Sequence, residues 1–337
     1  MNAAMEFDAS NEASGPLLFA RVLDGKGAGR PVGWEEARSW QPASEGEVIW
    51  MHLCRNCEGV TDYLESLAIP EPTVELLVSD RSRPRAFREG DNLVVTLRGI
   101  NFNPGAEPED MVSLQMWCDG RRLITLRRQP LQTPREVLAM IDAREVGPND
   151  CGALITELTE AMIARMSHAI IDMNDHIDML EDRDIDDDDT EDVLGRISVI
   201  RRNCLALKRH MGPQHEALET IARQAPTWFE DHDRREISES IDRLRRYLDD
   251  LDISKESAVV LQDEIRARSL ARSERATYML TIVAGIFLPL GFLTGLLGVN
   301  VGGMPGVNNA DAFWIVSGLC GAIVAVQLAL FWKWRWF

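Results

Sequence analysis

Three side chains of the 337-residue sequence fall at the spacing that puts them on one helix face: His168, Asp172 and His176, at i, i+4 and i+8. Imidazole nitrogens and carboxylate oxygens suit a borderline cation such as Zn2+, and adjacent pairs on successive turns can chelate one. All three cannot share an ion, because i and i+8 lie about 12 Å apart along a helix. Around them, Asp172 to Asp192 holds twelve Asp or Glu against a single basic residue, Arg183. Such a run either collects cations or forms the solvated tip of a helical hairpin. Cys54 and Cys57 form a C-x-x-C two residues after His52. These are soft ligands, but the second half of a zinc site is missing, and the plainer reading is a strand end leading into a turn. Cys204 with His210, and His232 with Asp233, are sparser pairs. No Gly-rich phosphate loop, nucleophile elbow or paired-carboxylate pattern stands out, so an enzyme reading has nothing to rest on.

The elements that must position these groups fall into three stretches. Residues 1–16 carry Glu6, Asp8 and Glu12, do not resemble a secretory signal, and read as a disordered tail. Residues 17–149 read as an α/β domain, with strand-like runs at Leu17–Leu23, Val48–Leu53, Asn92–Ile100, Met111–Cys118 and Arg122–Leu126. Asp119-Gly120 supplies a hairpin turn between the last two. Val60–Ala68 and Glu71–Ser79 read as helices, and Thr133 as the N-cap of another. Residues 150–275 read as long helices. One runs from Asp150 to about Asp184; the next starts at Thr190 and should break at Gly212-Pro213, with a short helix over Gln214–Arg223. The last runs from Asp233, where Ile237, Ile241, Leu244, Leu248 and Leu251 repeat at 4-3-4-3 as a packing seam.

Residues 276–337 differ in kind. From Ala276 to Ala310 there is no Asp, Glu, Lys or Arg, and apolar runs cover residues 278–297 and 312–332. Twenty such residues make about 30 Å of helix, the thickness of a bilayer core. Lipid offers backbone amides no partners, so both runs must be helices if they enter it. Arg266, Arg268, Arg272 and Arg275 precede the first run, Lys333 and Arg335 follow the second, and the loop between has no Lys or Arg. The positive-inside rule then places both termini in the cytoplasm. Trp314, Trp332, Trp334 and Trp336 sit where interfacial aromatic belts belong. The six cysteines of a chain whose bulk is cytoplasmic are expected to remain thiols, with no disulfide framework. The net charge of −18 argues against a nucleic-acid partner, whose phosphates need basic groups. Two spans cannot enclose a polar path, so a transporter built this way must be an oligomer.

Gly298-Val299-Asn300, closing the first apolar run, resembles the signature of the CorA-type metal ion transporter family, which usually carries Gly-Met-Asn. The Gly-Val-Asn form, followed by Gly302-Gly303-Met304-Pro305-Gly306, resembles the zinc-transporter (ZntB) branch of that family. Leu288-Pro289-Leu290, the short outer loop and the basic C-terminal tip fit the same pattern. The resemblance implies a homopentameric funnel in the bacterial inner membrane: an α+β protein with a cytoplasmic α/β domain, a helical stalk and two C-terminal transmembrane helices. It implies a pore lined by Thr277, Leu280, Ala284, Leu288 and Gly291, with Gly298, Val299 and Asn300 at its entrance. Such an apolar stretch would gate by dewetting, while Asn300 faces hydrated ions. Magnesium-type members carry an acidic residue after Met-Pro, where this sequence has Gly306. That leaves room for the proton coupling the zinc branch implies. The expected cargo is thus Zn2+; a magnesium/cobalt channel and a non-conducting membrane-anchored metal sensor are the alternatives.

Overall fold

The computed structural model describes residues 15–26, 29–80, 83–107, 109–143, 147–181, 189–299 and 310–333. The expected N-terminal tail up to residue 14, the acidic stretch 182–188 and residues 300–309, Asn300 included, lie outside the described residues.

Seven strands form one sheet: β1 (Leu17–Leu23), β2 (Gly29–Pro31), β3 (Val48–Cys54), β4 (Arg85–Glu89), β5 (Asn92–Gly99), β6 (Val112–Cys118) and β7 (Arg122–Arg127). Their spatial order is β2-β1-β3-β7-β6-β5-β4. β3 and β7 run parallel, Cys54 opposite Arg127, and every other neighbouring pair is antiparallel. β3, β5 and β7 therefore finish at the same end of the sheet. Alternation sends Ile49, Met51 and Leu53 of β3 into a core shared with α1 (Trp34–Arg38), α2 (Val60–Ser66) and α3 (Glu71–Val78), whose Ala37, Leu64 and Leu77 are buried there. The hairpin β6–β7 turns at Gly120, at φ +91°, and a Cβ there would meet the Trp228 ring at 2.8 Å.

Three further helices complete this part: α4 (Gln132–Ala143), α5 (Cys151–Glu181) and α6 (Thr190–Gln224). α4 starts at Gln132, so Thr133, expected to be its cap, is already inside and buried. The expected break at Gly212-Pro213 does not occur; α6 passes through Pro213 without ending. Proline removes one helical hydrogen bond. Packing outweighs that loss, because Met211, Gln214 and Leu218 are wholly buried and Gln214 Oε1 accepts the backbone N–H of Arg98 at 2.7 Å. β2, β4 and α1 were not anticipated; each spans five residues or fewer.

The next helix, α7 (Asp231–Leu297), is continuous, and α8 (Ala312–Lys333) follows. The chain divides into two compact units, Met1–Gln262 and Asp263–Phe337, and the division falls inside α7. In the first unit Ile237, Leu244, Leu251 and Ala258 recur every seven residues along α7 and are fully buried. Polar ties join α7 to α5 and α6: Arg243 to Glu160 (3.2 Å), Ser254 to Asn174 (2.5 Å) and Arg201 to Gln262 (2.7 Å). At its start Asp233 accepts the Glu230 backbone N–H at 3.0 Å. A Cβ on Gly152 would collide with that carboxylate. Burial, then the charge of Asp150, pushes the Asp233 carboxyl up to about 6.

Candidate cation-conduction site

The two apolar runs are helical where the sequence placed them, with mean hydropathies of 2.2 and 2.1. α8 meets α7 at Ile282 and Gly285. Ile282 is 8% exposed, and a Cβ on Gly285 would lie 3.3 Å from Phe331 of α8. Here the sequence solves a problem of its own making. Pro289 has no N–H to give the carbonyl four residues back, which is Gly285 O. Gln327 Nε2, from α8, donates to that oxygen at 3.1 Å. An unpaired carbonyl at this depth would cost about 1–3 kcal/mol. Gln327 was not among the residues expected to matter. Its only signal was to be the single Gln in an apolar run.

The residues expected to line the pore share one face of this helix. At about 100° per residue, Thr277, Leu280, Ala284, Leu288 and Gly291 cluster roughly 130° away from the Ile282/Gly285 side. Leu280 and Leu288 are 69% and 71% exposed; Thr277 and Gly291 are exposed and Ala284 is half-buried. The hydroxyls of Thr281 and Thr294 donate to helix carbonyls at Thr277 and Leu290, 2.8 and 2.9 Å away. They add no donor to the face. α7 ends at Leu297, and the Gly298 N–H closes the last turn on Thr294 O at 2.9 Å. Val299 is exposed; Asn300 is beyond the described residues. Apart from the Thr277 hydroxyl, this face has no side chain that can replace water around a cation. It can admit an ion only with its hydration shell, or exclude it by drying.

The cytoplasmic candidates behave differently. His168, Asp172 and His176 lie on successive turns of α5, all exposed. No group of three His, Cys, Asp or Glu side chains able to hold a metal ion occurs among the described residues. His176 borders an apolar cleft of about 520 Å³ with Met179, Val199 and Arg196. Cys54 does end a strand and lead into a turn, but the expectation of free thiols there is corrected: a disulfide joins it to Cys57, with Cα atoms 5.5 Å apart. The turn brings the two within bonding reach whatever the rest of the chain does. His52 is buried and is not a partner to them. Its Nδ1 lies 2.8 Å from Thr125 Oγ1, and that hydroxyl donates to Met51 O. Thr125 must then accept from His52, which fixes the tautomer and leaves Nε2 without a hydrogen. Burial, then the charges of Arg127 and Arg135, hold this imidazole well below its usual pKa.

Comparison with known proteins places these features. Residues 45–333 match the model of the family described as CorA-like Mg2+ transporter protein. The divalent cation transporter CmaX of Pseudomonas aeruginosa is 34% identical over 95% of this chain and 96% of its own. The zinc transport protein ZntB of Pectobacterium atrosepticum is 34% identical over 88% of this chain and 89% of its own. Among solved structures, full-length CmaX superposes with a TM-score of 0.83 at 33% identity, covering 97% of this chain and all of that one. The CorA magnesium transporter of Methanocaldococcus jannaschii shares the fold, with a TM-score of 0.77 at 16% identity over 95% and 99% of the two chains.

Proposed function

Because the chain belongs to the CorA-like transporter family and is thus a membrane protein that moves divalent cations, we propose that its cargo is Zn2+, carried in the bacterial inner membrane by a homopentamer. The observation that carries this reading is the exposed, uncharged face of α7 opposite α8. The described residues hold two candidate spans, too few to enclose a polar path, so copies must gather with those faces inward. Thr277, Leu280, Ala284, Leu288 and Gly291 then line the axis, and Gly298, Val299 and Asn300 form its outer mouth. Five amide oxygens there would meet a hydrated ion without stripping it. Both termini are cytoplasmic in this arrangement, on the strength of the arginines before α7's apolar half and Lys333 after α8.

Zinc is favoured by the Gly-Val-Asn sequence and by relatives named for zinc transport. Asp311 is the only acidic residue between the spans, so no strong ring of negative charge draws cations to the mouth. A proton gradient is therefore the proposed driving force. The test is zinc uptake into proteoliposomes, with and without a more acidic exterior. Uptake accelerated by external acid supports the reading. Magnesium flux exceeding zinc flux reassigns the ion. Absence of either flux in a correctly assembled protein leaves a membrane-anchored sensor.

A further inference from the structure

The cysteines of this chain fall into two kinds. Cys118, Cys151 and Cys204 are buried thiols, and Cys320 lies half-buried in α8. Cys54 and Cys57 are joined to each other, and both are half-buried in a turn where Asn56 and Glu58 stand open to solvent. A disulfide that closes so short a loop makes a poor staple. The chain entropy it removes from the unfolded state grows with loop length, and these cysteines are only three positions apart. The turn is also held without the sulfurs. The Cys57 N–H donates to Cys54 O at 3.2 Å, the Cys54 N–H to Pro16 O at 2.8 Å, and the Arg55 N–H to Arg127 O at 2.9 Å. β3 stays paired with β7 as far as Cys54, opposite Arg127. Two thiols on this backbone would remain close, ready to join again.

The ring closed by the disulfide contains Arg55. The Arg55 side chain is 2% exposed, and its Nη2 donates to Asp80 Oδ1 at 2.7 Å. The same oxygen accepts from Arg128 Nη1 at 2.7 Å. One carboxylate, two residues beyond α3, thus ties the residue after β3 to the residue after β7. A backbone closed into a ring samples fewer conformations than an open one, so the disulfide steadies the base from which the Arg55 guanidinium reaches Asp80. Opening the ring would loosen that reach and leave the sheet intact. Solvent-accessible disulfides are the ones that exchange readily with outside thiols, whereas structural ones resist.

We propose that Cys54–Cys57 is a thiol–disulfide exchange site, opened by an external dithiol without unfolding of the first unit, and that its opening relaxes the hold on Arg55. A thiolate of the dithiol attacks one sulfur, the Cys54–Cys57 bond breaks, and the other sulfur leaves as a thiolate that takes up a proton. The second thiol of the reductant then displaces the first cysteine from the mixed disulfide. The protein gains two electrons and two protons, and the dithiol becomes a disulfide.

The test uses the purified full-length protein in detergent, with millimolar dithiothreitol as the dithiol. After native reduction the protein is alkylated and cut with a protease that spares arginine, because Arg55 lies between the two cysteines. Mass spectrometry should find both cysteines alkylated after treatment and neither without it. Cys118, Cys151 and Cys204 should stay unlabelled throughout, and Cys320 should behave alike with and without reductant. Amide hydrogen exchange over residues 55–60 should rise several-fold on reduction and fall back when oxidised dithiothreitol replaces the reduced form. The unfolding temperature should drop by only a few degrees, as expected for so short a ring. Cys54→Ser combined with Cys57→Ser should exchange like the reduced protein whether or not dithiothreitol is present. Sulfurs that open only in denaturant would make the bond a structural staple and overturn the proposal. So would alkylation of both cysteines without any reductant, or exchange over residues 55–60 that reduction leaves unchanged.

Discussion

In the unit that ends at Gln262, Leu64, Leu77 and Leu123 are sealed from solvent, as are Ile237 and Leu244 on α7. Beyond Gln262 only Ile265 and Ile282 are buried hydrophobics among the described residues, while Leu280, Phe287, Leu288 and Phe292 stand open. The same residue types occur in both. The first unit supplies its own partners; the second leaves these side chains open, as a lipid-facing surface would. Substitutions of one kind should therefore have opposite consequences in the two places.

The largest effect should come from Leu64→Ala. It opens a cavity in a closed core and should cost about 2–5 kcal/mol, read by chemical unfolding of the full chain. Leu288→Ala, the same change on an open face, should leave unfolding nearly unaltered and appear instead in zinc flux. Equal destabilisation by the two would break the comparison. Next comes Gln327→Leu, which should cost about 1–3 kcal/mol in thermal unfolding by orphaning Gly285 O. Adding Pro289→Ala restores the missing donor and should recover most of that loss; a double variant no better than the single would show that Gln327 acts by other means.

Asn300→Ala should assemble normally by size-exclusion chromatography and lower zinc flux in vesicles by roughly ten-fold, about 1.4 kcal/mol at the barrier. Undiminished flux would make this residue only a helix end. The smallest effect is that of pH on Asp233. Its carboxyl is raised in the folded state, so its stabilising contribution is complete below the ordinary carboxylate range and is lost as pH rises through about 6. Asp233→Asn keeps an oxygen for the Glu230 N–H and should be the more stable protein at pH 8, with the advantage gone near pH 4. A pH-independent difference would contradict the raised pKa.

What could be read from the sequence followed from local pattern. The strand Leu17–Leu23 shows itself by composition, and the spans by the absence of charge over Ala276–Ala310. Features that depend on distant partners did not show. Pro213 predicts a break only if nothing anchors the next residue, and Gln214 is anchored by Arg98, more than a hundred residues earlier. Gln327 looks like an isolated polar residue until Pro289 has freed a carbonyl on the neighbouring helix. A small cavity lined by Arg55, Arg98 and Arg128 is invisible for the same reason. Arg55, Arg98 and Arg128 are spaced without pattern, and only the order of strands gathers them.

The contact between Gln327 and Gly285 also has a mechanical side. A helix bends most easily where proline has deleted a rung of its ladder. In α7 that compliant point is the very place pinned to α8. The pivot is therefore stationary and the arms are free: a tilt of the turns toward Gly298 need not drag α8 sideways through the bilayer. A bend there amounts to swinging a short lever about a fixed bearing. The work is done against about two turns of helix rather than the whole span.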